Sequence, residues 1–156
     1  MLMNLSEQLT NLESKKILHA HDALPAEIKQ HIDKADTFLK DARKKNNAPE
    51  TRFSMANTAG HMLLMAAIKT KGYRPTSEKG HRAILYQILD TLLPGAANAQ
   101  VTLSKAHNLR NRSEYDGDDI EVTQGQLDDT IAAVASVKEE VDLLYKKYKA
   151  EHEAKK

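Results

Sequence analysis

Residues 49–72 read PETRFSMANTAGHMLLMAAIKTKG, and this stretch decides the fold. Phe53, Ala56, Gly60, Leu63, Leu64, Ala67 and Ile68 recur at steps of mostly three and four, which puts them on one helical face. Pro49 suits a helix start, Gly72 a helix end, and Pro75 blocks continuation. Gly60 lowers helix propensity by about 1 kcal/mol relative to Ala, which is tolerable where a second helix packs closely.

The same period extends in both directions. Leu2, Leu5, Leu9 and Leu12 form a narrow stripe over an N-terminal helix in residues 1–22. Pro25 opens a second helix, with Asp22 as a candidate cap and Glu27 favouring the helix dipole. Its stripe is Ile28, Ile32, Ala35, Leu39 and Ala42, and the polar run KKNNAP ends it. After TSEKGH, the residues Ile84, Leu85, Ile88, Leu89, Leu92 and Leu93 predict a fourth helix, stopped by Pro94-Gly95. A fifth begins near Ala96, carries Val101 and Leu109, and stops at Asp116-Gly117. The last begins at Thr123, with Gln126 completing a capping box, and its stripe is Leu127, Ile131, Val134, Val141, Leu144 and Tyr148. Residues 150–156 read as a frayed polar tail. VTL (101–103) and IEV (120–122) are too short to build a sheet. The expectation is one all-α domain over 1–156, an up-and-down antiparallel bundle of about five helices with an additional N-terminal helix.

Composition supports this reading and excludes several functions. The 156 residues are 40% hydrophobic and 29% charged, which argues against a disordered chain, and only 4% are aromatic, which leans toward helices. A formal net charge of +1 gives no global basic field of the kind that marks an obligate nucleic-acid binder. With no cysteine, disulfide frameworks and thiolate metal sites are excluded. The N-terminus lacks a secretory apolar run and no eighteen apolar residues are contiguous, so the expectation is a cytoplasmic protein with no membrane partner. Seven histidines invite a metal reading, yet His19 and His21 point to different helix faces, and His61, His81 and His107 lie on different segments. No HExxH, GxSxG or Gly-rich phosphate loop occurs, and the expectation is no metal and no cofactor.

Chemistry concentrates in HNLRNRSEYDG, residues 107–117. On a helix Arg110 shares a face with Glu114, and Arg112 shares one with Tyr115 and Asp116. Arg112, three positions from Leu109, could hold its stem at the edge of the core and its planar donors at a groove, suited to phosphate or carboxylate. Alternatively Arg112–Asp116 is a surface ion pair contributing only a few tenths of a kcal/mol. A second cluster, KGYRPTSEKGHRA (71–83), places Tyr73, Arg74, His81 and Arg82 in a turn and the following helix start. Such a basic, aromatic loop can hold an anion or stack a base.

Together ADTFLKDA (35–42), the Ala- and Met-rich helix, GYRPTSEKGH (72–81) and LRNRSEYDG (109–117) resemble the HEPN superfamily of small helical bundles in prokaryotic defence and toxin–antitoxin systems, over residues 26–148. The resemblance implies a homodimer, RNA or a nucleotide as ligand, and a cognate antitoxin or nucleotidyltransferase as partner. Active members are metal-independent ribonucleases with an Arg, often followed by Asn, and a His four to six intervening residues later. Arg110-Asn111 matches that start, but Tyr115 stands where the His would be. A neutral imidazole can take and return a proton near pH 7, whereas a phenol with a pKa of about 10 is a poor base. Arg112 is the alternative counterpart arginine, and His81 an alternative imidazole. The resemblance thus implies a module that binds through Asn111, Arg112, Glu114, Asp116, Tyr73 and Arg74 without cleaving. The alternatives are a ribonuclease using Arg110 with Tyr115 or His81, and a purely structural or oligomeric protein.

Overall fold

A computed structural model describes residues 3–78, 80, 83–115, 117 and 120–155, with the side chains at 114 and 115 outside that description. The fold is an all-α helix bundle with one short two-stranded sheet. Helix α3 (Pro49–Thr70) lies at its centre, packed against α2 (Pro25–Ala42), α6 (Ala99–Tyr115) and α7 (Gln124–Ala154). Every residue of its predicted stripe is buried, and Ala59 and Ala66 are buried beside them. Gly60 is the point of close approach. A Cβ there would lie 3.4 Å from Val134 Cγ2 of α7 and 3.9 Å from Leu103 Cδ2 of α6. Gly72, at φ +87°, turns the chain out of α3 in a conformation that favours glycine.

The predicted stripe of α2 is buried in full. Asp22 does not cap it: Leu24 occupies the cap position and makes no side-chain cap bond, while Pro25 occupies the first turn. Helix α1 (Leu5–Ser14) is capped by Asn4, whose side chain accepts from the Glu7 amide at 2.9 Å. Its Leu9 and Leu12 join the main core, and Thr91 donates to Gln8 Oε1 at 2.5 Å. Leu5 packs partly buried against the same core, so these three leucines of the stripe are taken up by the protein's own bundle, and Leu2 lies outside the described residues.

Three features depart from the sequence expectation. A sheet forms between β1 (Leu18–Ala20) and β2 (Tyr73–Pro75), antiparallel, with His19 opposite Arg74. Three residues show too little alternation to register as a strand, and the pairing is set by where α1 and α3 end. The fourth helix is broken into α4 (Ile84–Gln87) and α5 (Leu89–Leu92) at Ile88, whose φ −101° and ψ 7° lie outside the helical basin. Its apolar face was too wide to reveal the break. Finally, the tail is not frayed: α7 continues through Ala154. Tyr148 holds it by donating to the Ala23 carbonyl, and Tyr145 and Tyr148 pack against the core. The capping box at Thr123 and Gln126 is formed as the sequence predicts.

Polar groups inside the bundle are paired. Arg52, 8% exposed, donates from Nε to the Ala42 carbonyl at 2.8 Å, joining the start of α3 to the end of α2. Lys138 of α7 pairs with Asp36 of α2 at 3.2 Å and with Asp142 at 2.7 Å. Lys69 reaches Glu27 at 2.5 Å and His31 at 2.9 Å. Among the described residues no helix is long and apolar enough to cross a membrane.

Candidate functional site

Helix α6 carries most of the quoted motif, and helical geometry sorts its arginines. Leu103 and Ala106 are buried. Arg110 follows them by seven and four positions, so it continues the inward line and is half-buried. Arg112 falls on the opposite line with Val101, Lys105 and Asn108, all exposed. The expected placement of Arg112 at the core edge is not what forms. Leu109 is partly buried, but on another flank, against the cluster of Phe53, Ala106, Val122 and Leu127. A rotation of about 200° separates the two arginines, so one groove does not hold both.

The inward line of α6 meets two other helices. Tyr86, on α4, is 4% exposed because Leu85 and Tyr86 turn that short helix onto the core. The His107 ring stacks on Tyr86 with centroids 4.3 Å apart and 21° between planes. The His61 ring of α3 lies 6.4 Å from the same tyrosine at 19°. His61 follows Gly60, and the close packing at Gly60 is what brings α6 within reach of it. Three residues distant in sequence thus make one aromatic ladder, bordered by Arg110 one turn along α6 from His107.

The electrostatics of the ladder follow from burial. Burial pushes the Tyr86 hydroxyl well above the usual phenol range, and the positive charge of Arg110 offsets only part of this. Tyr86 is a neutral ring at any ordinary pH. Burial also lowers His107, and Arg110 lowers it further. The Asn111 amide, 3.2 Å from His107 Nε2, donates to that nitrogen, which puts the ring proton on Nδ1. At neutral pH the site presents a neutral imidazole beside a guanidinium.

The remaining predicted residues distribute as follows. Asn111 belongs to the cluster. Tyr73 and Arg74 lie in β2, beyond the C-terminus of α3. His61 is nine residues before that terminus, about 14 Å along the helix, so Tyr73 and Arg74 form a separate location. His81, Asp116 and the side chains of Glu114 and Tyr115 lie outside the described residues. Read from the sequence alone, His61 and His107 are weighed only as metal ligands, and Tyr86 is not singled out. The signal for His107 was available, because a His three positions before Arg110 shares its side of a helix. Nothing in the sequence pointed to Tyr86 or His61 as its neighbours.

Two surface clefts lie apart from the ladder. One of about 290 Å³ has a Phe53, Ala106 and Leu109 floor with Lys105 and Asp129 at its rim. The other, about 590 Å³, lies between the turn that follows β1, the end of α3 and the end of α7. Among the described residues no three His, Asp or Glu side chains converge as a metal site. Comparison with protein-family models, curated proteins and solved structures finds no match to this chain.

Proposed function

We propose that the protein is a HEPN-like module that binds RNA or a nucleotide through the inward side of α6, without cleaving it. The observation that carries this reading is the placement of Arg110 beside the stacked His107 and Tyr86 rings. A guanidinium offers a planar fork of donors to a phosphate, and a half-buried site strengthens each such bond. His107 and Asn111 add polar groups of opposite character within one turn. The resemblance extends the proposal to a homodimer and to a cognate antitoxin or nucleotidyltransferase partner. Binding of single-stranded RNA, measured at low and moderate salt, tests it: Arg110→Ala weakens binding, and affinity unchanged by that substitution counts against the reading.

A ribonuclease is the second reading, favoured by one specific feature. His107 supplies, from one turn upstream, the neutral imidazole that the Arg-to-Tyr115 spacing lacks. It would accept the proton of a 2′-hydroxyl at Nε2, in exchange for the bond that Nε2 now accepts from Asn111, while Arg110 stabilised the charge developing on phosphate. Incubation with RNA in EDTA separates the two readings. Cleavage that disappears in both Arg110→Ala and His107→Ala supports the enzyme; intact RNA at high protein concentration removes it.

A further inference from the structure

Helix α4 has four residues, too few to be stable alone, yet it carries Tyr86, the ring on which His107 stacks. Burial of Leu85 and Leu89 holds this segment against the core without fixing its rotation, because apolar contact is non-directional. The direction comes from α6. Gln100, half-buried in the first turn of α6, donates from Nε2 to the Gln87 carbonyl at 2.8 Å and to the Tyr86 carbonyl at 3.1 Å, and it reaches Asp90 Oδ1 of α5 at 3.3 Å. All three partners are acceptors, so only the amide nitrogen serves them, and its two protons are shared among them. The last carbonyls of a helix have no partner further along it, and here a side chain from a neighbouring helix caps them. The same amide spans the break at Ile88, since Tyr86 and Gln87 precede it and Asp90 follows it.

Gln100, Leu103, His107 and Arg110 follow one another on α6 at steps of three, four and three, so they share one side of the helix. Helix α6 therefore grips Tyr86 twice: at its main-chain carbonyl through Gln100, and on its ring face through His107, two turns further on. We infer that Gln100 is a positioning residue for His107: through Tyr86 it holds the imidazole in its stacked place beside Arg110, and the affinity of the α6 site depends on it although it lies about 15 Å along the helix from Arg110. The dependence of affinity rests on the RNA reading; the positioning of His107 does not.

The test uses the full chain with labelled histidine and two substitutions at one position. Gln100→Met keeps the length and helix propensity of the side chain and removes the donor. Gln100→Lys keeps a donor at similar reach and is the rescue variant. In the wild type the Tyr86 ring shields the His107 ring protons and moves their NMR signals upfield. Gln100→Met loses that shift, and Gln100→Lys regains most of it. Ile32→Val, a mild core destabilisation in α2, leaves it in place, which separates positioning from a general loss of stability. With labelled single-stranded RNA, Gln100→Met binds about tenfold more weakly than wild type, and Gln100→Lys within about threefold of it. An unmoved His107 in Gln100→Met, or a His107 displaced equally by Ile32→Val, overturns the inference whatever the RNA does. A displaced His107 with unchanged RNA affinity overturns its link to binding. A wild-type protein without RNA affinity removes the RNA reading and that link together, while the His107 shift still decides the positioning role.

Discussion

The imidazole of His107 and the phenol ring of Tyr86 lie 4.3 Å apart, centroid to centroid, and 21° from parallel. This contact joins α6 to α4 and fixes the ring beside Arg110. Tyr86 is buried, so its removal leaves a cavity as well as an unsupported imidazole. Tyr86→Ala should lower stability by about 3–5 kcal/mol in urea unfolding. His107→Ala, which deletes a half-buried ring and one stacking contact, should cost about 1 kcal/mol. Equal and small losses would mean that the ladder does not organise the α4–α6 junction.

Gly60 gives a second expectation, with a sign that depends on size. A methyl group there meets Val134 Cγ2 at 3.4 Å, an ordinary contact, and gains about 1 kcal/mol of helix propensity. Gly60→Ala should therefore leave stability unchanged or slightly raised. Gly60→Leu has no room between α3, α6 and α7 and should cost at least about 1–3 kcal/mol. Thermal unfolding of the two variants checks the pair, and a tolerated leucine would contradict the close packing.

Acid should destabilise the protein through the junction of α2 and α3. Burial lowers His31 to about 4 from its ordinary 6.5, and the neighbouring Lys69 charge adds to the shift. The unfolded chain thus binds the proton first, so the contribution is complete above pH 6.5 and is lost as pH falls from 6.5 toward 4. His31 is half-exposed, and with that screening the loss is on the order of 1–2 kcal/mol. Glu27 acts in the same direction at lower pH: its depressed pKa gives stability above 4.5 that disappears as pH falls through its folded value. Urea midpoints for wild type and His31→Gln between pH 7 and pH 4 test this. The wild-type slope should flatten in the variant, and parallel curves would count against His31.

Much of the fold was legible in the sequence because period and punctuation agree. The stripes of α2 and α3, Pro25 and Pro49 in their first turns, Gly72 and the Thr123 capping box all form as read. The break at Ile88 was not legible, since Ile84 to Leu93 offers apolar residues in nearly every direction and so no phase to interrupt. The strands were hidden by their length, and the persistence of α7 by a polar tail whose anchor, Tyr148 on Ala23, lies 125 residues away in the chain. The site divides in the same way. Helical spacing separated the faces of Arg110 and Arg112, but which face turns inward depends on Leu103 and Ala106 meeting α3, a tertiary fact. The approach of His61 and His107 to Tyr86 is equally tertiary.

The central claim is that the inward arginine of α6, and not the outward one, holds a phosphate. Fluorescence anisotropy with labelled single-stranded RNA, comparing Arg110→Ala with Arg112→Ala over a salt series, tests it most directly. Loss of one phosphate contact should reduce the slope of log affinity against log salt by about 0.7. The account predicts that Arg110→Ala weakens binding about tenfold or more and lowers the slope, while Arg112→Ala changes affinity much less. No RNA affinity in the wild type, or equal affinity in wild type and Arg110→Ala, would contradict it.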